Sequence, residues 1–272
     1  MNLLLANEER YDEYAQRAMA QRAMAGDVYA GREKMELEVV GNTAIIHVCG
    51  GLTFRNDFWS WLFGGCSYED IQLQIAMAES SPMVEQVVLR FDTPGGEVIG
   101  IMECGDAIFN CKKATTAVVD PECASAGLWL ASQCKSIVSV RSGMVGSLGV
   151  QAVSRNYYKM MQEAGIDVKI FRASISPNKN LGHPYEARTE EADKELQATV
   201  DKWGKRFVDA VARGRKVSAE TVLEKFGKGK MLEAQEAIDA GLIDSIGNIQ
   251  SVLSGKRKSA TTARVGNRRA IV

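Results

Sequence analysis

The stretch "DPECASAGLWLASQC", Asp120 to Cys134, sets Ser125 among Ala124, Ala126 and Gly127, where an apolar strand pattern gives way to a helix pattern. A serine at such a junction has two chemical uses. As an N-cap, its hydroxyl accepts a hydrogen bond from an amide of the first helical turn. As a nucleophile, its Oγ stands at the turn, the following amide at Ala126 is free to hold an anion, and the positive end of the helix dipole lies behind it. A second stretch, "FDTPGGEVIG" (Phe91–Gly100), also follows a strand pattern and precedes a helix pattern. A Pro-Gly-Gly turn lets the backbone approach a ligand closely and aims N–H groups outward, which is what an oxyanion hole requires. Taken alone, it is equally a tight turn that needs positive φ at a glycine. Neither the Walker pattern nor a full G-x-G-x-x-G is present, so a phosphate cradle is not expected.

A nucleophilic serine needs a proton acceptor. The chain has two histidines: His47, in the apolar run "TAIIHVCG" and expected in the core, and His183, in a polar loop. A lysine serves instead where desolvation or neighbouring positive charge lowers its pKa, and residue order alone does not select one. Cys123, two residues before Ser125, is a weaker thiol candidate that is expected to point away from the site. The six cysteines (Cys49, Cys66, Cys104, Cys111, Cys123, Cys134) include no C-x-x-C pair and sit mostly in apolar runs. Reduced, buried thiols are therefore expected, rather than a disulfide framework or a zinc site. No metal centre or cofactor is implied.

The elements that must position these residues alternate regularly. "MELEVVGNTAIIHVCG" predicts a strand pair joined through Gly41-Asn42. The aromatic "GLTFRNDFWSWLFGGCS" predicts a loop or short helix in which Trp59, Trp61 and Phe63 are packing residues. Further strands are predicted at "QVVLRFD", "TTAVVD", "SIVSV", "LGVQAV" and "DVKIFRA". Helices are predicted at "SYEDIQLQIAMAE", capped by Ser67 with Asp70 at the capping-box position, and at "VIGIMECGDAIFNC", "SAGLWLASQC", "SRNYYKMMQEAG", "TEEADKELQATVDKWGKRFVDAVARGR", "SAETVLEKF" and "LEAQEAIDAG". Such alternation argues for an α/β fold with a largely parallel sheet. In such folds function gathers in the loops after the carboxyl ends of strands, where both stretches lie.

At 272 residues, with 46% hydrophobic and 25% charged, the chain can bury one sizeable core. A formal net charge of -1 excludes any chain-wide attraction to nucleic acid or anionic membranes. Residues 1–35, with the near-duplicate "QRAMAQRAMA", predict a helical amino-terminal arm. Residues 36–254 form the main domain. Residues 255–272 carry Lys256, Arg257, Lys258, Arg264, Arg268 and Arg269 without an acidic residue and predict a flexible basic tail, with at most weak nucleic-acid contact. The start lacks a signal-peptide pattern, and no segment approaches the roughly 20 apolar residues of a membrane span, so a cytoplasmic protein is expected.

Five ordered motifs, "DTPGG", "ASAGLWLAS", "GMVGSLGV", "NKNLGHP" and "EAIDAGLIDSIG", resemble those of the signal peptide peptidase A family of serine proteases, which includes the phage head-maturation proteases. The resemblance runs from about residue 40 to about residue 250. It implies a Clp protease/crotonase-like fold of stacked βαβ units and a Ser/Lys catalytic dyad. By motif, Ser125 takes the nucleophile's place and Lys179 that of the general base. Gly95 or Gly96 with the Ala126 amide takes the oxyanion hole, and Ser147 a position beside the dyad that helps orient the lysine. The implied partners are a protein or peptide substrate, such as scaffold or capsid protein, and further copies of the chain, in a ring whose sites are shared between subunits. The bacterial members' membrane anchor and some phage members' scaffold region have no counterpart here, which points to the phage or prophage type. A signal-peptide-degrading homologue, a crotonase-like acyl-CoA enzyme and a non-catalytic capsid-assembly component are the alternatives.

Overall fold

The computed structural model describes residues 4–6, 37–55 and 64–255. In chain order the strands are β1 (Leu4–Ala6), β2 (Glu38–Val40), β3 (Thr43–Thr53), β4 (Cys66–Ser67), β5 (Gln86–Glu97), β6 (Ala114–Ala124), β7 (Ser136–Ser139), β8 (Met144–Gly146), β9 (Met231–Glu233) and β10 (Ser245–Ile246). The helices are α1 (Tyr68–Ser80), α2 (Ile101–Phe109), α3 (Ala126–Ser132), α4 (Tyr158–Glu163), α5 (Glu190–Arg215), α6 (Ala219–Lys225), α7 (Ala234–Ala240) and α8 (Ile249–Leu253). One sheet runs in the order β10-β7-β6-β5-β3-β2, and its five strands from β10 to β3 are mutually parallel. β2 returns antiparallel through the Gly41 turn, where φ is 63°. The expected α/β fold with a largely parallel sheet is therefore present.

The sheet buries one face heavily. Ile46 and Val48 of β3, Leu89 and Phe91 of β5 and Val119 of β6 pack against Ile75 of α1, Ile108 of α2, Leu128 of α3 and Phe207 of α5. Each such side chain contributes about 1.5–3 kcal/mol when fully buried. The opposite face holds a smaller cluster of Val88, Val118, Val138 and Val252. His47 belongs to this second face, opposite Arg90 in the β3–β5 register. It is exposed there, with Nε2 2.9 Å from Glu38 Oε2, and so is not the core residue its apolar run suggests. Strand alternation, rather than the mean hydropathy of the run, decides its side.

Three other expectations change. The Pro94-Gly95-Gly96 stretch is not a turn: β5 continues through it to Glu97, because β3 pairs with it at Gly51↔Gly95 and Leu52↔Gly96. The strand expected at "LGVQAV" forms earlier, as β8, where β6 offers an edge at Glu122–Ala124 and β9 another. "DVKIFRA" forms no strand among the described residues. It finds no partner edge, and Val168 and Phe171 stand exposed at 37% and 83%; a strand pattern becomes a strand only where it can pair. Within the expected helical arm, residues 4–6 form β1, and residues 1–3 and 7–36 lie outside the described residues, as do Trp59, Trp61, Phe63 and residues 256–272.

Helix α3 follows Ser125 directly, and all seven of its residues are buried. The long α5 clamps it. The Trp129 and Phe207 rings lie 5.1 Å apart, Gln133 Nε2 donates to the Ala210 carbonyl at 3.0 Å, and Arg213 donates to Gln133 Oε1 at 2.7 Å. A Cβ on Gly214 would fall 1.9 Å from the Ser132 carbonyl oxygen, so only glycine permits this approach.

Candidate active site

Ser125 joins β6 to α3 with φ 52° and ψ −115°, a conformation disfavoured for any residue with a side chain. Its N–H donates to the Gly146 carbonyl at 2.9 Å, and its carbonyl accepts the Trp129 N–H at 3.0 Å. The side chain makes no capping hydrogen bond, unlike the Ser67, Thr189 and Ser218 side chains, each of which accepts from an amide of the helix that it precedes. The cap reading thus fails at Ser125. The backbone is bent and the hydroxyl is not spent on the helix. At the first helical position, the Ala126 N–H has no acceptor within the helix.

The glycine stretch lies alongside. β5 and β6 pair at Thr93↔Cys123, two residues before Gly95 and two before Ser125. Thr93 is fully buried between them. Its Oγ1 donates to the Gly50 carbonyl at 2.6 Å and accepts the Gly95 N–H at 3.1 Å. Its methyl fills the space over Gly127, where a Cβ would fall 2.5 Å from Thr93 Cγ2. Gly96 is needed because a Cβ there would meet the Leu52 carbonyl oxygen at 1.9 Å. Thr93 thereby fixes β3, the glycine stretch and α3 to one another. Sequence reading missed it, although a threonine two residues before a glycine pair was visible.

Ser147 follows Gly146, which pairs with Ala124 in the β6–β8 ladder and holds the Ser125 amide. Its own φ is 55°, and its N–H donates to the Lys230 carbonyl at 3.0 Å. Ser125, Ala126, Gly95, Gly96 and Ser147 are thus gathered on neighbouring strand ends. Lys179 is exposed; its N–H donates to the Ser176 carbonyl, and its carbonyl accepts from Arg172 Nε. The loop is organised by Arg172, which grips both oxygens of Glu186 and also donates to the Asn180 carbonyl. That hydrogen bonding holds the Glu186 carboxyl below, and the Arg172 guanidinium above, their ordinary pKa values. His183, in the same loop, lies tilted against Tyr185, with ring centroids 5.5 Å apart. Cys123 is buried, and burial pushes its thiol well up in pKa, the opposite of what a thiolate nucleophile needs. Cys104, Cys111 and Cys134 are buried too, whereas Cys49 and Cys66 are partly exposed.

Residues 107–263, which include Ser125, Ser147 and Lys179, match the family model of peptidase family S49. The chain belongs to peptidase family S49. Among its curated relatives, capsid assembly protease C of Escherichia phage lambda is 29% identical over 245 residues, covering 89% of this chain and 55% of that protein. Head-tail preconnector protein GP5 of Enterobacteria phage P21 is 29% identical, covering 79% of this chain and 43% of that protein. The putative signal peptide peptidase SppA of Enterococcus faecium is 24% identical, covering 73% and 58%. The S49 chain spans about half the length of the phage relatives. Its fold is similar to that of a solved serine-to-alanine mutant of the 1510-N membrane-bound stomatin-specific protease, with a TM-score of 0.50 at 16% identity over 79% of this chain and 85% of that one. This likeness is consistent with the Clp protease/crotonase-like fold. Among the described residues, no helix of the S49 chain is long and apolar enough to cross a membrane.

Proposed function

We propose that the protein is a serine endopeptidase in which Ser125 is the nucleophile and Lys179 the general base. The observation that carries the reading is the bent backbone at Ser125, with a side chain that does not cap the helix it precedes. Ser125 Oγ attacks the scissile carbonyl carbon while its proton passes to Lys179 Nζ. The carbonyl oxygen becomes an oxyanion held by the Ala126 N–H and a glycine N–H of β5. Gly95 already donates to Thr93, so the second donor is assigned to Gly96. Lys179 returns the proton to the leaving amine as the C–N bond breaks, leaving an ester on Ser125. It then takes a proton from water, whose oxygen attacks the ester carbonyl carbon; as the Oγ–C bond breaks, Lys179 passes that proton to Ser125 Oγ and the carboxylic acid product leaves.

Lys179 reaches a neighbouring subunit's Ser125 in this reading. The segment that carries it exposes Val153 (50%), Met160 (53%), Ile166 (51%), Phe171 (83%) and Ile175 (96%), an apolar surface of the kind that packs against another protein. Burial against a second copy also supplies the desolvation a lysine base requires. The protein is therefore a homo-oligomer with shared sites. By likeness to the phage relatives, it acts on scaffold or capsid proteins in the host cytoplasm or the assembling prohead, without a cofactor.

Ser125→Ala and Lys179→Ala should each abolish cleavage of a casein or peptide substrate, and a fluorophosphonate probe should label the wild type at Ser125. Mixing the two dead variants should restore cleavage, because some sites then combine an intact serine with an intact lysine. Retained cleavage by Ser125→Ala refutes the nucleophile. A mixture as inactive as its parts refutes the shared site.

A further inference from the structure

β1 pairs with the glycine end of β5. Beyond Thr93↔Cys123, β6 leaves β5 to form the Ser125 bend, so the edge of β5 that faced β6 is left open at Gly95–Glu97. β3 occupies the other edge, at Gly51↔Gly95 and Leu52↔Gly96. β1 pairs with the same glycines, at Leu4↔Glu97, Leu5↔Gly96 and Ala6↔Gly95. A strand has only two edges, so β1 fills the one on the Ser125 side. Its direction is also that of a peptide being delivered for acyl transfer: antiparallel to β5, it runs from Glu97 back toward the Thr93–Cys123 end, where Ser125 begins α3.

We infer that Leu4–Ala6 is a resident competitor for the substrate's acyl-side strand, an internal segment that an extended peptide must displace in order to pair with Gly95–Glu97. The inference rests on the peptidase reading for the word substrate, but strand addition to an open sheet edge needs no catalysis, so the two are tested separately. An apolar stretch with a small residue at its leading end, Leu-Leu-Ala, is then the kind of sequence the edge accepts.

The test uses the full chain carrying Ser125→Ala, with and without Leu5→Pro and Ala6→Pro, which remove the two N–H groups and the extended pairing of β1. The probe is a fluorescein-labelled heptapeptide, Asn-Leu-Leu-Leu-Ala-Asn-Glu, followed by fluorescence anisotropy. The proline variant should bind it at least about tenfold more tightly, and its Gly96–Glu97 segment should exchange with deuterium faster until the peptide is added. A thermal melt shows that the proline variant is folded, since β1 is a three-residue edge strand. Equal affinity in the two proteins, or unchanged exchange at Gly96–Glu97, overturns the inference. The same prolines placed in the Ser125 protein should lower KM for a cleaved peptide with kcat little changed. Complete absence of Ser125-dependent cleavage there refutes the peptidase reading, while the anisotropy result still judges the strand.

Discussion

Replacing Thr93 by valine keeps its shape and removes one oxygen. That oxygen serves two buried groups, accepting from the Gly95 N–H at 3.1 Å and donating to the Gly50 carbonyl at 2.6 Å. Each group left without a partner costs about 1–3 kcal/mol, so Thr93→Val should lose about 2–6 kcal/mol of stability. A domain of this size melts about 2–4 °C lower for each kcal/mol lost, which places the variant at least about 4 °C below wild type by circular dichroism. The glycine stretch would also lose its anchor, and displacement of a catalytic donor by about 1 Å can reduce kcat by about 100-fold. Thr93→Ser separates the two parts of the side chain. It keeps the oxygen and loses only the buried methyl over Gly127, about 0.8 kcal/mol, so it should retain most of the stability and most of kcat. If valine melts and turns over like wild type, or serine does as badly as valine, Thr93 does not position the site.

Gly96→Ala would drive a methyl to 1.9 Å from the Leu52 carbonyl oxygen, a backbone atom that cannot move aside; denaturant unfolding should show a loss of at least about 1–3 kcal/mol. The Glu186 carboxyl is held below its ordinary pKa by Arg172. The order it lends the Lys179 loop is therefore complete above the ordinary glutamate value of about 4.3 and lost as pH falls through the lowered one. Limited proteolysis within residues 172–186 should accelerate only below about pH 4, whereas Glu186→Gln should be cut quickly even at neutral pH. The Cys49 thiol is pushed up to about 12, chiefly by burial, and that of Cys123 rises well above its usual value. Iodoacetamide at pH 8 should leave cleavage intact, and Cys123→Ala should still react with fluorophosphonate at Ser125.

What the sequence disclosed follows the range of the forces involved. Local signals were readable: the Ser67 cap, the Gly41 turn, the periodic run of α5 and the alternation that builds a parallel sheet. Long-range pairing was not. The glycines of β5 suggest a turn by composition, yet Gly96 is glycine because β3 comes too close for a side chain, a fact held by Leu52 more than 40 residues away. His47 needed the strand's phase, and "DVKIFRA" needed to know whether an edge was on offer. At the site, Ser125 was ambiguous between cap and nucleophile in the sequence, and its torsions and missing cap bond exclude the cap. Lys179 came from family resemblance alone, and in a single chain it is an exposed residue on a loop built around Arg172.

The carbonyl that holds the Ser125 amide belongs to Gly146, and β8, which ends at Gly146, is paired in turn with Met231–Glu233. A Cβ on Gly146 would fall 2.4 Å from the Lys230 carbonyl oxygen, so the fit is close. The bend at the serine is therefore braced by chain that a ribosome makes more than 100 residues later. At about 5–20 residues per second, roughly 5–20 s pass between synthesis of Ser125 and synthesis of its support. A nascent chain carries Ser125 without its brace through that interval, and the bend at the serine is held only once most of the polypeptide has been made.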